Sequence, residues 1–337
     1  MVVVSDRALA DDAQSLAGKK LGRYKLKRVI GRGAMGDVYE ATSNDGVKVA
    51  VKVLTARSNS NAQALARFER EAAAVQRLQH PNIVKVVEVG SSRSRPFIAM
   101  ELLRGAVFTR MLRSGEKPVE VVTALAELAR ALEHAHKEGI IHRDIKPDNV
   151  LMDKRGCAKI GDFGLARAVD DTTLTAEGAV MGTVRYMSPE QAHGQRAGPP
   201  SDVYSVGVMI YEAISGAVPF SSEAPTAMMY KHAFEVVPKP LIRDGFNPVL
   251  GKLALSCLAK TPEARPTMGD VALALEEASL WKKRRRPWRS MSAALLLVAL
   301  GGLAWMVFEP SVFETLCTRW DPACTLDSWA THLRAWL

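Results

Sequence analysis

The chain has 337 residues, 47% of them hydrophobic and 24% charged, which excludes a wholly disordered, collagen-like or coiled-coil protein. Four cysteines without a CxxC pair exclude a disulfide scaffold and give no sign of a zinc site. The formal net charge of +9 is largely local, because Lys282, Lys283, Arg284, Arg285, Arg286 and Arg289 cluster with no acid among them. It is therefore no basic face, and no nucleic-acid partner is expected.

Residues 1–20 lack apolar periodicity and read as a flexible leader. From Tyr24 to Met100 the pattern is mostly strands: YKLKRVI alternates, a glycine-rich turn follows, and DVYEAT and VKVAVKVL alternate again. One helix interrupts, over 62–78, with Leu65, Phe68, Ala72, Val75 and Leu78 at helical spacing. From about 105 to 280 the chain is mainly helical, punctuated by Pro and Gly clusters at 194–200, 215–219 and 238–248. A strand-rich piece followed by a helix-rich piece predicts an α+β, bilobal domain over 21–280, with lobes of 21–103 and 104–280 and a cleft between them.

Residues 291–308, MSAALLLVALGGLAWMVF, carry no charge and reach the short end of the length that spans a bilayer. With the basic segment 281–290 on its inner side, the expectation is a single-pass protein of the inner (plasma) membrane, in contact with membrane lipid. Residues before 290 would be cytoplasmic, and 309–337 would form a short external tail. No signal-peptide core is expected at the start of the chain. Cys317 and Cys324, placed in that tail, are expected to pair.

Gly31-Arg32-Gly33-Ala34-Met35-Gly36 fits G-x-G-x-x-G, but a strand rather than a helix follows it, and no GK[ST] is present. Strand, glycine loop, strand describes a flap whose backbone N–H groups approach phosphate oxygens. Lys52 ends the apolar run Val49-Ala50-Val51, sixteen residues beyond the loop, and can reach back to the same phosphates. Its ammonium needs a carboxylate, and the 62–78 helix offers Glu69 and Glu71, with Glu71 preferred. Further on stand His142-Arg143-Asp144-Ile145-Lys146-Pro147-Asp148-Asn149 and Asp162-Phe163-Gly164.

In order and spacing, these motifs resemble a protein kinase. Ser188-Pro189-Glu190, Asp202 to Gly207 and Ala264-Arg265-Pro266-Thr267 extend the resemblance over about 21–280. Lys146 resembles the Ser/Thr type, and GTVRYMSPEQ at 182–191 is similar to the bacterial eukaryotic-like Ser/Thr kinases, many of which are membrane-anchored.

The resemblance implies ATP with Mg²⁺, or Mn²⁺ in its place, as cofactors. It implies protein Ser/Thr hydroxyls, including the chain's own, as substrates. Asp144 would accept or orient the substrate hydroxyl, and Lys146 would neutralise the γ-phosphate. Asn149 and Asp162 would hold the metal, and Lys52 with Glu71 would contact the α- and β-phosphates. Ile30, Val38 and Ala50 would roof the adenine pocket and Leu151 would floor it. Met100 would be the gatekeeper, with the backbone at Glu101 and Leu103 meeting the adenine edge.

Glu190, Arg265 and Asp202 would be structural. Arg143 beside the base implies a partner anion, supplied by phosphate on the activation segment between Asp162 and Glu190. Thr173 and Thr175 are the preferred acceptors, ahead of Thr172, and Thr183 resembles a substrate-binding threonine. Cys157 and Cys257 are expected to be buried and inert. A membrane-tethered pseudokinase scaffold is the competing reading. It would require a lost Lys, Asp or DFG, and none is lost.

Overall fold

A computed structural model describes residues 16–33, 36–54, 70–92, 95–163 and 184–281. The 291–308 segment, both cysteines of the tail, Ala34, Met35, Thr173 and Thr175 lie outside the described residues. Among the described residues, no helix is long and apolar enough to cross a membrane.

The strand-rich piece forms a six-stranded antiparallel sheet in the order β1-β2-β3-β4-β6-β5. Its strands are β1 (Lys20–Leu21), β2 (Tyr24–Gly33), β3 (Gly36–Ser43), β4 (Lys48–Leu54), β5 (Val86–Ser92) and β6 (Arg95–Glu101). Alternation gives the sheet two apolar faces. Tyr24, Leu26, Tyr39, Val49, Val51 and Phe97 pack on one. Ile30, Val38, Ala50, Ile98 and Met100 join the main core on the other. Helical residues 70–76 sit on that second face through Ala72 and Val75, both buried.

The helical piece opens with α1 (Phe108–Ser114) and α2 (Pro118–Lys137), whose apolar stripe from Val121 to Ala135 is buried. A 3₁₀ turn (Pro147–Asn149) leads into a two-stranded ribbon, β7 (Val150–Met152) and β8 (Ala158–Ile160). Helices α3 (Pro189–Ala192), α4 (Pro199–Ser215), α5 (Pro225–Phe234), α6 (Val249–Cys257) and α7 (Met268–Ser279) follow. Helix α4 is apolar on nearly every side, and Ser201 to Ile214 are all buried, so it forms the axis of this lobe.

Two straps join the pieces. Residues 82–84 run beside β8, with Val84 N–H donating to the Ile160 carbonyl at 2.8 Å and Ile160 N–H to that of Asn82 at 2.9 Å. After β6 the chain passes over β7 at Gly105, where a Cβ would lie 1.6 Å from the Met152 carbonyl oxygen. Only glycine lets the backbones approach this closely.

Candidate active site

The two straps bound a cleft lined by Val84, Met100, Glu101, Asp148, Asn149, Leu151, Gly161 and Asp162. Ala50 pairs with Met100 across β4 and β6. Together with Ile30, Val38, Leu103 and Leu151 they belong to one apolar cluster, and all six are buried. The Glu101 side chain accepts from the Lys85 backbone N–H at 2.9 Å and from Lys159 Nζ at 2.8 Å, which fixes the strap beside the cleft. In the glycine loop, Gly31 and Arg32 pair with Val38 and Asp37, and Gly33 pairs with Gly36. Gly36 has φ 146°, and a Cβ there would lie 2.0 Å from the Val53 carbonyl oxygen, so the start of β3 rests directly on β4.

The polar end of the cleft is set by the loop between α2 and β7. Asp202, on α4, accepts from the backbone N–H of His142 through Oδ2 and from that of Arg143 through Oδ1, both at 2.9 Å. His136 Nε2 lies 2.8 Å from the same Oδ2. His142 is fully buried, and burial pushes its pKa down, so the ring is neutral. Its Nε2 contacts the Gly161 carbonyl at 3.0 Å, and the ring packs 4.7 Å from that of Phe163. These contacts hold Asp144 in place. Lys146 Nζ donates to Asp144 Oδ2 at 2.7 Å, and Asn149 Nδ2 donates to the Asp144 carbonyl at 2.7 Å.

Lys52 Nζ donates to Asp162 Oδ1 at 2.9 Å. Burial opposes ionisation of Asp162 and positive charge, the Lys52 ammonium included, favours it; the net effect holds the carboxyl below its usual range. Asp162 has φ 55°, a left-handed residue among the site's acids, as a backbone aimed by its surroundings would be. Glu71 does not meet Lys52. It lies 3.7 Å from Arg143 Nη1. The expected Lys52–Glu71 pair is therefore corrected to two others, Lys52–Asp162 and Arg143–Glu71. The physical reason is that each cation takes the carboxylate nearest to it: Arg143 finds an anion in Glu71, and Lys52 finds one in Asp162.

The donor set suits Mg²⁺, a hard cation that takes a carboxylate and a few oxygens and leaves further positions to phosphates and water. Asn149 spends its Nδ2 on Asp144, so its Oδ1 is the atom suited to a cation. Asp162 supplies the carboxylate.

Sequence reasoning missed Val84 and Asp148. Val84 is one apolar residue among many, and Asp148 stands within the His142–Asn149 run with no local feature that gives it a role of its own. Asp148 Oδ1 accepts from the Thr109 hydroxyl at 2.7 Å, tying the loop to α1. Cys257 is buried and its thiol is pushed up to about 12, mainly by burial, whereas Cys157 is only half-buried, contrary to expectation.

An antiparallel sheet joined to a helical lobe, with an asparagine and an aspartate lining the cleft and a second aspartate and a lysine bonded to them, suits a nucleotide-dependent phosphotransferase. A family profile described as the protein kinase domain matches residues 24–274, and the chain belongs to that family. Similar proteins include the serine/threonine-protein kinase PknA of Mycobacterium tuberculosis, 40% identical over 256 residues, covering 74% of this chain and 59% of that protein. The serine/threonine-protein kinase pkn3 of Myxococcus xanthus is 37% identical over 338 residues, covering 94% and 61%. A probable serine/threonine-protein kinase of Streptomyces coelicolor is 39% identical over 259 residues, covering 74% and 38%. The chain thus spans from 38% to 61% of the length of these relatives.

Proposed function

We propose that this chain is an ATP- and Mg²⁺-dependent serine/threonine protein kinase that transfers the γ-phosphate to protein hydroxyls, its own included. The observation that carries the reading is that Asp162 and Asn149 line one cleft beside apolar residues, with Lys52 bonded to Asp162 and Asp144 bonded to Asn149. The names of the relatives support the Ser/Thr class. Bound Mg²⁺–ATP would supply the phosphoryl group and neutralise its developing charge. Asp144 orients the incoming hydroxyl and takes its proton at the carboxylate. Lys146, whose Nζ donates to Asp144 at 2.7 Å, would neutralise the γ-phosphate. Lys52 would hold the α- and β-phosphates.

The observed ion pairs fit a resting arrangement. Glu71 and a phosphothreonine are two anions that one guanidinium, Arg143, would bind. Phosphate on Thr173 or Thr175 draws Arg143 away and leaves Glu71 for Lys52. The segment 291–308 anchors the chain in the inner membrane, with 282–289 against its anionic leaflet and the kinase domain in the cytoplasm.

The test is transfer of labelled phosphate from ATP and Mg²⁺ to the full chain and to an added protein. Wild type is expected to label both. Asp144→Asn is expected to bind nucleotide and transfer nothing; near wild-type labelling by that variant would sink the mechanism.

A further inference from the structure

Gln191 is buried in α3, just beyond the capping residue Ser188. Its amide is committed at both ends. Oε1 accepts from the backbone N–H and the hydroxyl of Ser188, each at 3.1 Å. Nε2 donates to the carbonyl oxygen of Arg143 at 2.9 Å. Turned the other way, the amide would set oxygen against oxygen, so the partners fix its orientation.

The far end of that bond lies one peptide from the base. Arg143 has φ 66°, a left-handed backbone that a side-chain-bearing residue keeps only when its surroundings hold it there. Its N–H is held by Asp202 and its carbonyl by Gln191. The Arg143 carbonyl and the Asp144 N–H share one planar peptide unit. Fixing that carbonyl therefore fixes the plane from which the Asp144 Cα, and its carboxylate, depart. The grip has a firm base, because the neighbouring Glu190 is bound bidentately by Arg265 at 2.8 and 2.9 Å.

We infer that Gln191 is a positioning residue for the transfer step: it sets the direction of Asp144 through the Arg143 carbonyl, and so couples the end of the activation segment to the base. The inference rests on the kinase reading above. It goes beyond that reading because the side-chain amide of Gln191 bonds only Ser188 and the Arg143 carbonyl and is not among the residues lining the cleft.

Two variants of the full chain test it. Gln191→Glu keeps the size and an acceptor for Ser188 but sets a carboxylate oxygen against the Arg143 carbonyl. Gln191→Met fills the space and donates nothing. Single-turnover phosphoryl transfer to a protein substrate is expected to fall roughly five- to tenfold in both, the scale of one hydrogen bond felt in the transition state. Nucleotide affinity, read by a fluorescent ATP analogue, is expected to change less than about twofold, since the bond lies away from the phosphates.

Once protonated, the carboxyl group introduced by Gln191→Glu would again donate to that carbonyl. The rate of Gln191→Glu relative to wild type is therefore expected to recover as pH falls toward the carboxyl range, and that of Gln191→Met is not. Wild-type transfer rates in both variants would overturn the inference. So would losses of rate, affinity and thermal stability in proportion, with no pH recovery, which is the signature of plain packing. A wild-type chain that binds nucleotide but transfers no phosphate fails the kinase reading first, and this inference with it.

Discussion

Arg265 carries the most demanding electrostatic bond in the helical lobe. Its side chain has no exposed surface and Glu190's has 8%. The guanidinium donates to both carboxylate oxygens and to the carbonyls of Ala259, Pro200 and Lys260, all within 2.8–3.0 Å. Ser201 adds a hydroxyl donor to Glu190 Oε1 at 2.6 Å. Arg265→Met would leave a buried carboxylate with Ser201 and three carbonyls without their donor. Breaking a buried pair by removing one partner costs about 3–5 kcal/mol. For a domain of this size each kcal/mol moves Tm by about 2–4 °C, so a fall of roughly 6–20 °C is expected. The loss is a large part of the roughly 5–15 kcal/mol a domain holds in total. Thermal unfolding of Arg265→Met and Glu190→Gln reads it directly. The double variant Glu190→Met with Arg265→Met is expected to be more stable than Arg265→Met alone, because it leaves no unpaired charge. A single variant within about 1 kcal/mol of wild type would refute the reasoning, since it would mean that water or rearrangement had already paired the orphaned group.

Lys52→Met is expected to lower phosphate transfer at least ~10²-fold, measured as kcat/KM for a protein substrate, because the cation that would hold the α- and β-phosphates is gone. Thr173→Ala with Thr175→Ala is expected to slow transfer to an added protein, and phosphosite mapping of wild type should find phosphate at one of the two; a double variant as active as its parent removes the Arg143 exchange. Burial, helped by the Lys260 ammonium, lowers the pKa of His232 from 6.5 to about 3. The unfolded chain therefore takes up a proton below pH 6.5 that the fold refuses. The share of stability that His232 contributes falls by about 1.4 kcal/mol per pH unit from there toward pH 3. Melting at pH 7 and pH 5 is expected to show this slope, and to show less of it in His232→Gln. A topology reporter fused after residue 337 is expected to read outside the cytoplasm; a cytoplasmic signal would overturn the anchoring proposal.

The sheet was legible because one face of each strand is buried, which writes alternation into YKLKRVI and VKVAVKVL. The site was legible because phosphate chemistry requires particular atoms close together, and Asp144, Lys146 and Asn149 fall within one turn of chain. Partnerships across long separations were not legible. Nothing local to Glu71 says that Arg143, 72 residues later, lies closer to it than Lys52 does. Gln191 was invisible for a related reason: its donor group meets a backbone carbonyl, which every residue carries, so the partner leaves no trace in side-chain identity. The half-buried Cys157 shows the same limit, because a position just before the second strand of a two-stranded ribbon reads as core or rim with equal ease.

The catalytic loop takes its shape from elsewhere in the chain. Asp202 stands 58 residues beyond Asp144, on a helix buried from Ser201 to Ile214, yet it holds the backbone N–H groups of the two residues before the base. The eight residues from His142 to Asn149, cut out or grafted onto another turn of the same length, would carry every reactive group and lose their arrangement. Designs that borrow this chemistry must transplant a pair of distant segments, loop and helix, at a fixed separation. The smallest portable unit of the site is therefore a tertiary contact and not a motif.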